Sequence, residues 1–167
     1  SSAASDVYKR QIQESEDFLE EVPEKIPFMG TSCCPAWSVM AKKEFPKNAD
    51  CISMALTPMT LTARLIRKQH PNAKIVFVGP CSAKKLEAMR ESVRSEVDFV
   101  LTFEEMAGMM SAKQIDYTKL AGEGGDFDVA SADGRGFAVA GGVATAVANA
   151  IHKRYPCLLY TSDAADD

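Results

Sequence analysis

The chain has no run of lysines or arginines and carries a formal charge of −4, with a pI near 5.3. Both features argue against a nucleic-acid-binding surface, which needs clustered positive charge. No apolar run is long enough to span a bilayer, and no secretory hydrophobic segment is visible. Internal repeats and low-complexity tracts are also missing, which excludes solenoids and disordered linkers. Cysteine is sparse and odd in number, five in 167 residues. That count disfavours a disulfide framework and points to reduced thiols or metal ligands. The remainder is ordinary for a globular domain, with 46% hydrophobic and 25% charged residues.

The two ends stand apart. SSAASDVYKRQ (1–11) and CLLYTSDAADD (157–167) share no obvious sequence. Back-translated with suitable codons, however, one reads on its opposite strand as the other. Both are expected to be translations of one oligonucleotide in opposite orientations, similar to a transposase sequencing adapter. The expected division is an adapter-derived tail at 1–11, a partial domain at 12–156 and a second adapter-derived tail at 157–167. Removing Cys157 leaves Cys33, Cys34, Cys51 and Cys81.

Along the central segment, apolar period and turn residues predict alternating elements. Residues 12–22 read as a short acidic helix that Pro23 ends, with Phe18, Leu19 and Val22 on one face. IPFMGTS (26–32) reads as a buried strand, and PAWSVMAKKEF as a helix with Pro35 in its first turn. Thr57-Pro58 predicts a second capped helix start. KIVFVG (74–79) and VDFVLTF (97–103) are β-branched and aromatic, hence strands. Helices are predicted after each. Residues 122–136 read as a loop, and AGGVATAVANAIHKRY as a close-packing helix of small residues. The fold class is therefore α/β, with a parallel-type sheet flanked by helices.

Two predicted strands run into cysteine and proline: TSCCPAW (31–37) and GPCSAKKLE (79–87). The carboxyl edge of an open α/β sheet is where ligands bind, and helix starts favour thiolates and anions. On the residues alone, Cys33, Cys34 and Cys81 fit three descriptions: buried apolar side chains, zinc ligands, or ligands of an iron–sulfur cluster. Cys51 lacks such a context and is expected in the core. Lys84 lies three residues after Cys81, on its side of the helix start, and Glu87 one turn further. They read as a hydrogen-bond donor and a proton carrier at the site, or as a solvated helix face.

TSCCPAW resembles the first active-site motif of the iron-only (FeFe) hydrogenases, and GPCSAKKLE their second. CISMALTPM between them, and VDFVLTFEEMAGMM and AVAGGVATAVANAI after them, are similar to further parts of the same catalytic domain. The resemblance implies about one lobe of that two-lobed domain. It implies the H-cluster, a 4Fe–4S cluster joined to a diiron subcluster, and reversible reduction of protons to H2. Cys34 and Cys81 would be metal ligands. Cys33 would be the thiol that passes protons, and Ser53, Glu87 and an outer carboxylate, Glu16 or Asp17, would carry them to the surface. Lys84, Thr57, Pro80, Gly141 and Gly142 would contact the cofactor. Implied partners are ferredoxin or another iron–sulfur electron carrier and the hydrogenase maturation proteins; the implied setting is cytoplasmic. The chain departs from the family pattern at Gly79, Thr57 and Met59, where Met, Ser and Gln are usual, and the third cysteine motif would lie beyond Pro156. A sensory homologue and a hydrogenase-like iron–sulfur assembly protein are the alternatives.

Overall fold

The computed structural model describes residues 2–93, 95–120, 132–137 and 139–156. The chain divides into two compact units, Ser1–Ala55 with Asp128–Asp167, and Leu56–Phe127.

The first unit is helical. Helix α1 (Ser2–Glu21) is longer than predicted, and the expected tail boundary at residue 12 falls inside it. Among its described side chains the buried ones are Arg10, Gln11, Glu14 and Ser15, which are polar; Phe18 and Leu19 are partly covered. Apolar period therefore pointed to the wrong stripe. Helix α2 (Pro35–Glu44) starts where predicted, because Pro35 supplies a helix-ready φ and needs no N–H partner. A 3-10 turn (Pro46–Cys51) follows and buries Cys51, as expected of a core residue.

The predicted strand at 26–32 is not formed. Gly30 makes one isolated parallel bridge to Ile52 through Gly30 N–H to Cys51 O (2.8 Å) and Ser53 N–H to Gly30 O (2.8 Å). Pro27 offers no amide hydrogen, and the facing chain leaves a 3-10 turn just before Ile52, so no ladder extends.

Helices α6 (Ala132–Gly136) and α7 (Gly142–Arg154) complete this unit. Short helix α6 occupies the end of the predicted 122–136 loop; the rest of that loop, 122–131, lies outside the described residues, as does the tail at 157–167. The small residues of α7 pack against α1 and α6 as anticipated, with Ala146, Val147 and Ile151 buried. Asp133 accepts from Asn149 Nδ2 (2.6 Å) and Lys153 Nζ (3.1 Å), tying α6 to α7.

The second unit is a small β-α-β arrangement with added helices. Helix α3 (Pro58–Gln69) precedes β1 (Val76–Val78), α4 (Ala83–Met89), β2 (Phe99–Leu101) and α5 (Phe103–Ala112). β1 and β2 pair in parallel with Val76 opposite Phe99, Phe77 opposite Val100 and Val78 opposite Leu101. The parallel sheet was predicted; its strands are three residues long instead of six or seven, so the chain is mostly helical. Two strands alone cannot propagate pairing far, because each has only one neighbour. Asp98 fixes the entry to β2: its carboxylate accepts from Ile75 N–H (2.8 Å), Arg67 (2.8 Å) and Lys74 (3.1 Å). These donors lower its pKa from 3.8 to about 2. Thr102 and Glu105 form a reciprocal cap at the start of α5. Met59, Thr60, Ala63, Ile75 and Glu87 are among the buried residues of this unit. No helix among the described residues is long and apolar enough to cross a membrane.

Candidate functional site

The predicted site residues fall on two sets of loops, one in each unit. In the first unit, Cys34 is the N-cap of α2, with extended backbone (φ −104°, ψ 110°). Its Sγ accepts from the Trp37 amide at 3.4 Å, so the thiol itself caps the helix. Trp37 Nε1 donates to Thr31 O (3.0 Å), which clips the loop to the first turn of α2. The pair therefore has unequal surroundings: Cys34 is exposed, whereas Cys33 is partly covered. Neither is in a disulfide.

Ser32, buried beside them, donates to Ala55 O (2.7 Å) and accepts from Arg10 Nη2 (3.3 Å). Ser53 Oγ accepts from the Ala55 amide (3.1 Å). Together with the Gly30–Ile52 bridge, these bonds lay 30–34 alongside 52–55. Ser53 is thus held in the segment that flanks the cysteine pair.

The carboxylates of α1 have unequal surroundings. Glu16 is half exposed (45%) and pairs with Arg154 on the surface. Asp17 has a raised pKa, first from desolvation and then from Glu21, Glu20 and Glu16, with Arg10 opposing. Glu14, not singled out from the sequence, is buried and paired with Arg10. Burial lowers the Arg10 pKa to about 10, against the opposing charges of Cys33 and Asp17. Two residues apart on α1, Glu14 and Glu16 point to different sides, Glu14 inward to Arg10 and Glu16 outward to Arg154. No sequence signal separated them, because the buried stripe of α1 is itself polar.

In the second unit, Cys81 occupies the turn between β1 and α4 and is partly covered, with Pro80 exposed before it. Gly79 is buried and its amide donates to Leu101 O (3.1 Å). A Cβ at Gly79 would lie 2.7 Å from the Phe77 ring, so that ring covers the space a side chain at position 79 would enter. Lys84 and Glu87 are not a solvated face: their side chains are 12% and 3% exposed, 2.9 Å apart. Thr57 Oγ1 donates to Glu87 Oε1 (2.6 Å), and Thr60 Oγ1 donates to the same oxygen (3.1 Å). Thr60, fully buried, was missed; its signal was the Thr57–Thr60 spacing at a capped helix start.

Gly141 and Gly142 take their positions for backbone reasons. Gly141 is the N-cap of α7 with φ +71°, and a Cβ on Gly142 would collide with the carbonyl of Gly136. Both are requirements of the α6–α7 turn.

Among the described residues no three His, Cys, Asp or Glu side chains gather as a closed metal site. Thiols on turns, outside disulfides and with sulfur the only soft donor offered, do fit iron–sulfur ligation.

Known proteins agree with this reading. Residues 5–161 match the family described as iron only hydrogenase large subunit, C-terminal domain. Iron hydrogenase 1 of Clostridium pasteurianum is 29% identical over 147 residues, covering 79% of this chain and 26% of that protein. The cytosolic Fe-S cluster assembly factor NAR1 of Kluyveromyces lactis is 32% identical over 98 residues, 59% of this chain and 21% of that one. The chain thus spans about a quarter of the length of such relatives. Among solved structures, a HydA described as revealing stepwise H-cluster assembly in an FeFe-hydrogenase matches with TM-score 0.57 and 28% identity, over 71% of this chain and 32% of that one. A variant of the FeFe-hydrogenase HydA1 from Chlamydomonas reinhardtii gives 0.59 and 25%, over 71% and 33%. With its paired-cysteine loop, its second cysteine turn and this match over nearly its whole length, the chain belongs to the family of C-terminal domains of the iron-only hydrogenases.

Proposed function

We propose that the protein to which this chain belongs interconverts protons and H2. The observation that carries the reading is the unequal cysteine pair: an exposed Cys34 thiol that caps α2 beside a partly covered Cys33. Exposure would suit Cys34 to a ligand's task and partial cover would suit Cys33 to a different one. Cys34 and Cys81 would each give a thiolate to the H-cluster, which when bound supplies the redox-active metal centre. Cys33 would hold and release the proton, since a metal-bound thiolate cannot readily change its own protonation. Ser53 follows Cys33 in the relay, and Glu16 is its exposed outer carboxylate. Electrons would come from ferredoxin or a similar iron–sulfur carrier, and maturation proteins would install the diiron unit. In this reading 12–156 is the family sequence and both ends are adapter-derived. A cytoplasmic setting is proposed with it, although relatives carry both cytosolic and periplasmic names.

The NAR1 relatives support a second reading, a hydrogenase-like factor for iron–sulfur assembly. Gly79, lacking the usual Met side chain, supports a third, a sensory homologue with slow turnover. Infrared spectroscopy of a longer product of the same gene, matured anaerobically, separates these readings. CO and cyanide bands with H2 production support the hydrogenase. Bands with negligible turnover favour the sensor, and a correctly matured product without bands favours the assembly factor.

A further inference from the structure

The Lys84–Glu87 pair is built differently from a proton-carrying carboxylate. Spacing of three along α4 puts the two side chains on one face, with Glu87 buried and Lys84 largely covered. Oε2 of Glu87 takes the Lys84 ammonium at 2.9 Å. Oε1 takes two hydroxyls, from Thr57 at 2.6 Å and Thr60 at 3.1 Å. Thr57 Oγ1 accepts from the Thr60 amide (3.4 Å) and has two acceptors in reach, Thr60 Oγ1 at 3.4 Å and Glu87 Oε1 at 2.6 Å, of which the carboxylate is the nearer. Both oxygens of Glu87 are thus engaged as acceptors, Oε1 by donors fixed at the start of α3. To accept a proton, Glu87 would have to release one of its donors, and a largely covered ammonium would then lose its counter-charge.

We propose that Glu87 is a positioning residue, which holds the Lys84 ammonium in place and is itself held by Thr57 and Thr60. This deepens the hydrogenase reading and rests on it for the role of Lys84 at the cofactor, replacing the expected proton-carrying role of Glu87. Thr57 then serves twice, as cap of α3 and as the anchor of Glu87. A Thr57→Ser change keeps the hydroxyl and the clamp; a Thr57→Val change keeps the shape and loses it.

The test is nuclear magnetic resonance of lysine ammonium groups in the full chain, which needs no cofactor. The Lys84 signal is identified by its loss in Lys84→Arg. In the unmodified chain it should exchange hydrogen about tenfold more slowly than exposed lysines, the ratio expected for one charge-assisted hydrogen bond, and show a coupling to the Glu87 carboxyl carbon. Glu87→Gln and Thr57→Val should each abolish the slow exchange, and Thr57→Ser should retain it, with circular dichroism reporting that each variant is folded. Should Glu87→Gln fail to fold, the Thr57 pair and the coupling in the unmodified chain still decide. An unmodified chain without a slowed Lys84 ammonium, or a slowed signal unchanged in Glu87→Gln, overturns the proposal. The infrared experiment is independent: missing CO and cyanide bands would end the hydrogenase reading and leave this clamp standing.

Discussion

The four described cysteines range from exposed to buried, and thiol chemistry reads that range directly. Cys34 is exposed, Cys33 and Cys81 are partly covered and Cys51 is 6% exposed. Alkylation of the native chain by iodoacetamide should therefore mark Cys34 first and Cys51 last, because reaction needs access to the thiolate. Peptide mass spectrometry at short times checks the order; early labelling of Cys51 would contradict the core assigned to it. Thr57 carries a second residue-scale prediction. Its hydroxyl caps α3 and serves the buried Glu87. Thr57→Val should cost about 2 kcal/mol, the sum of a lost cap and a weakened buried acceptor, and Thr57→Ser much less. Urea unfolding midpoints of the two variants measure the gap.

Elements are joined by a few polar ties whose strength can be titrated. Asp98 binds the start of β2 to Ile75, and through Arg67 and Lys74 to α3 and the approach to β1. Its folded pKa, about 2, lies below the ordinary 3.8. Its contribution is therefore complete above the unfolded value and disappears as the pH falls from 3.8 toward 2. An Asp98→Asn variant should be less stable than the parent at neutral pH and nearly equal to it once the pH has fallen to about 2, by urea midpoint. Constant separation across that range would remove the carboxylate from the account. The α6–α7 turn makes a different kind of junction. Gly142→Ala would drive a methyl group into the Gly136 carbonyl, so a loss of about 3 kcal/mol or more is expected. Gly141→Ala meets open space and only a left-handed backbone, costing about 1 kcal/mol. Equal effects would mean that the turn relaxes.

At the scale of the molecule, much apolar surface remains uncovered. In the second unit Val76 (47%) and its register partner Phe99 (59%) are exposed together with Leu86, Met89 and Phe103. Parallel sheets are normally covered on both faces and are shielded at their edges. This chain should bind the dye ANS in its native state and self-associate at micromolar concentration. A Phe99→Lys change should reduce both without lowering the urea midpoint, as measured by fluorescence and sedimentation velocity. An unmodified chain that stays monomeric and dark with ANS would show that these side chains are covered in solution.

Capped helix starts were legible in the sequence because their chemistry is local. Pro35, Thr57-Pro58 and the cysteine turns are set by neighbours within a few residues. The helix–strand alternation and the family motifs were legible for the same reason. The length of a strand was not: 26–32 has the composition of a strand, but pairing depends on what chain lies opposite, and there a 3-10 turn leaves room for one bridge. Nor could composition rank Glu14, Glu16 and Asp17, three acids on one helix. Packing alone buries Glu14 with Arg10 and leaves Glu16 to Arg154. The sequence by itself determined where helices begin and which thiols stand at turns, since backbone sterics and capping act at short range. Tertiary structure decided which carboxylate is inside and what Glu87 holds, because desolvation and hydrogen bonding between distant segments exist only once those segments meet.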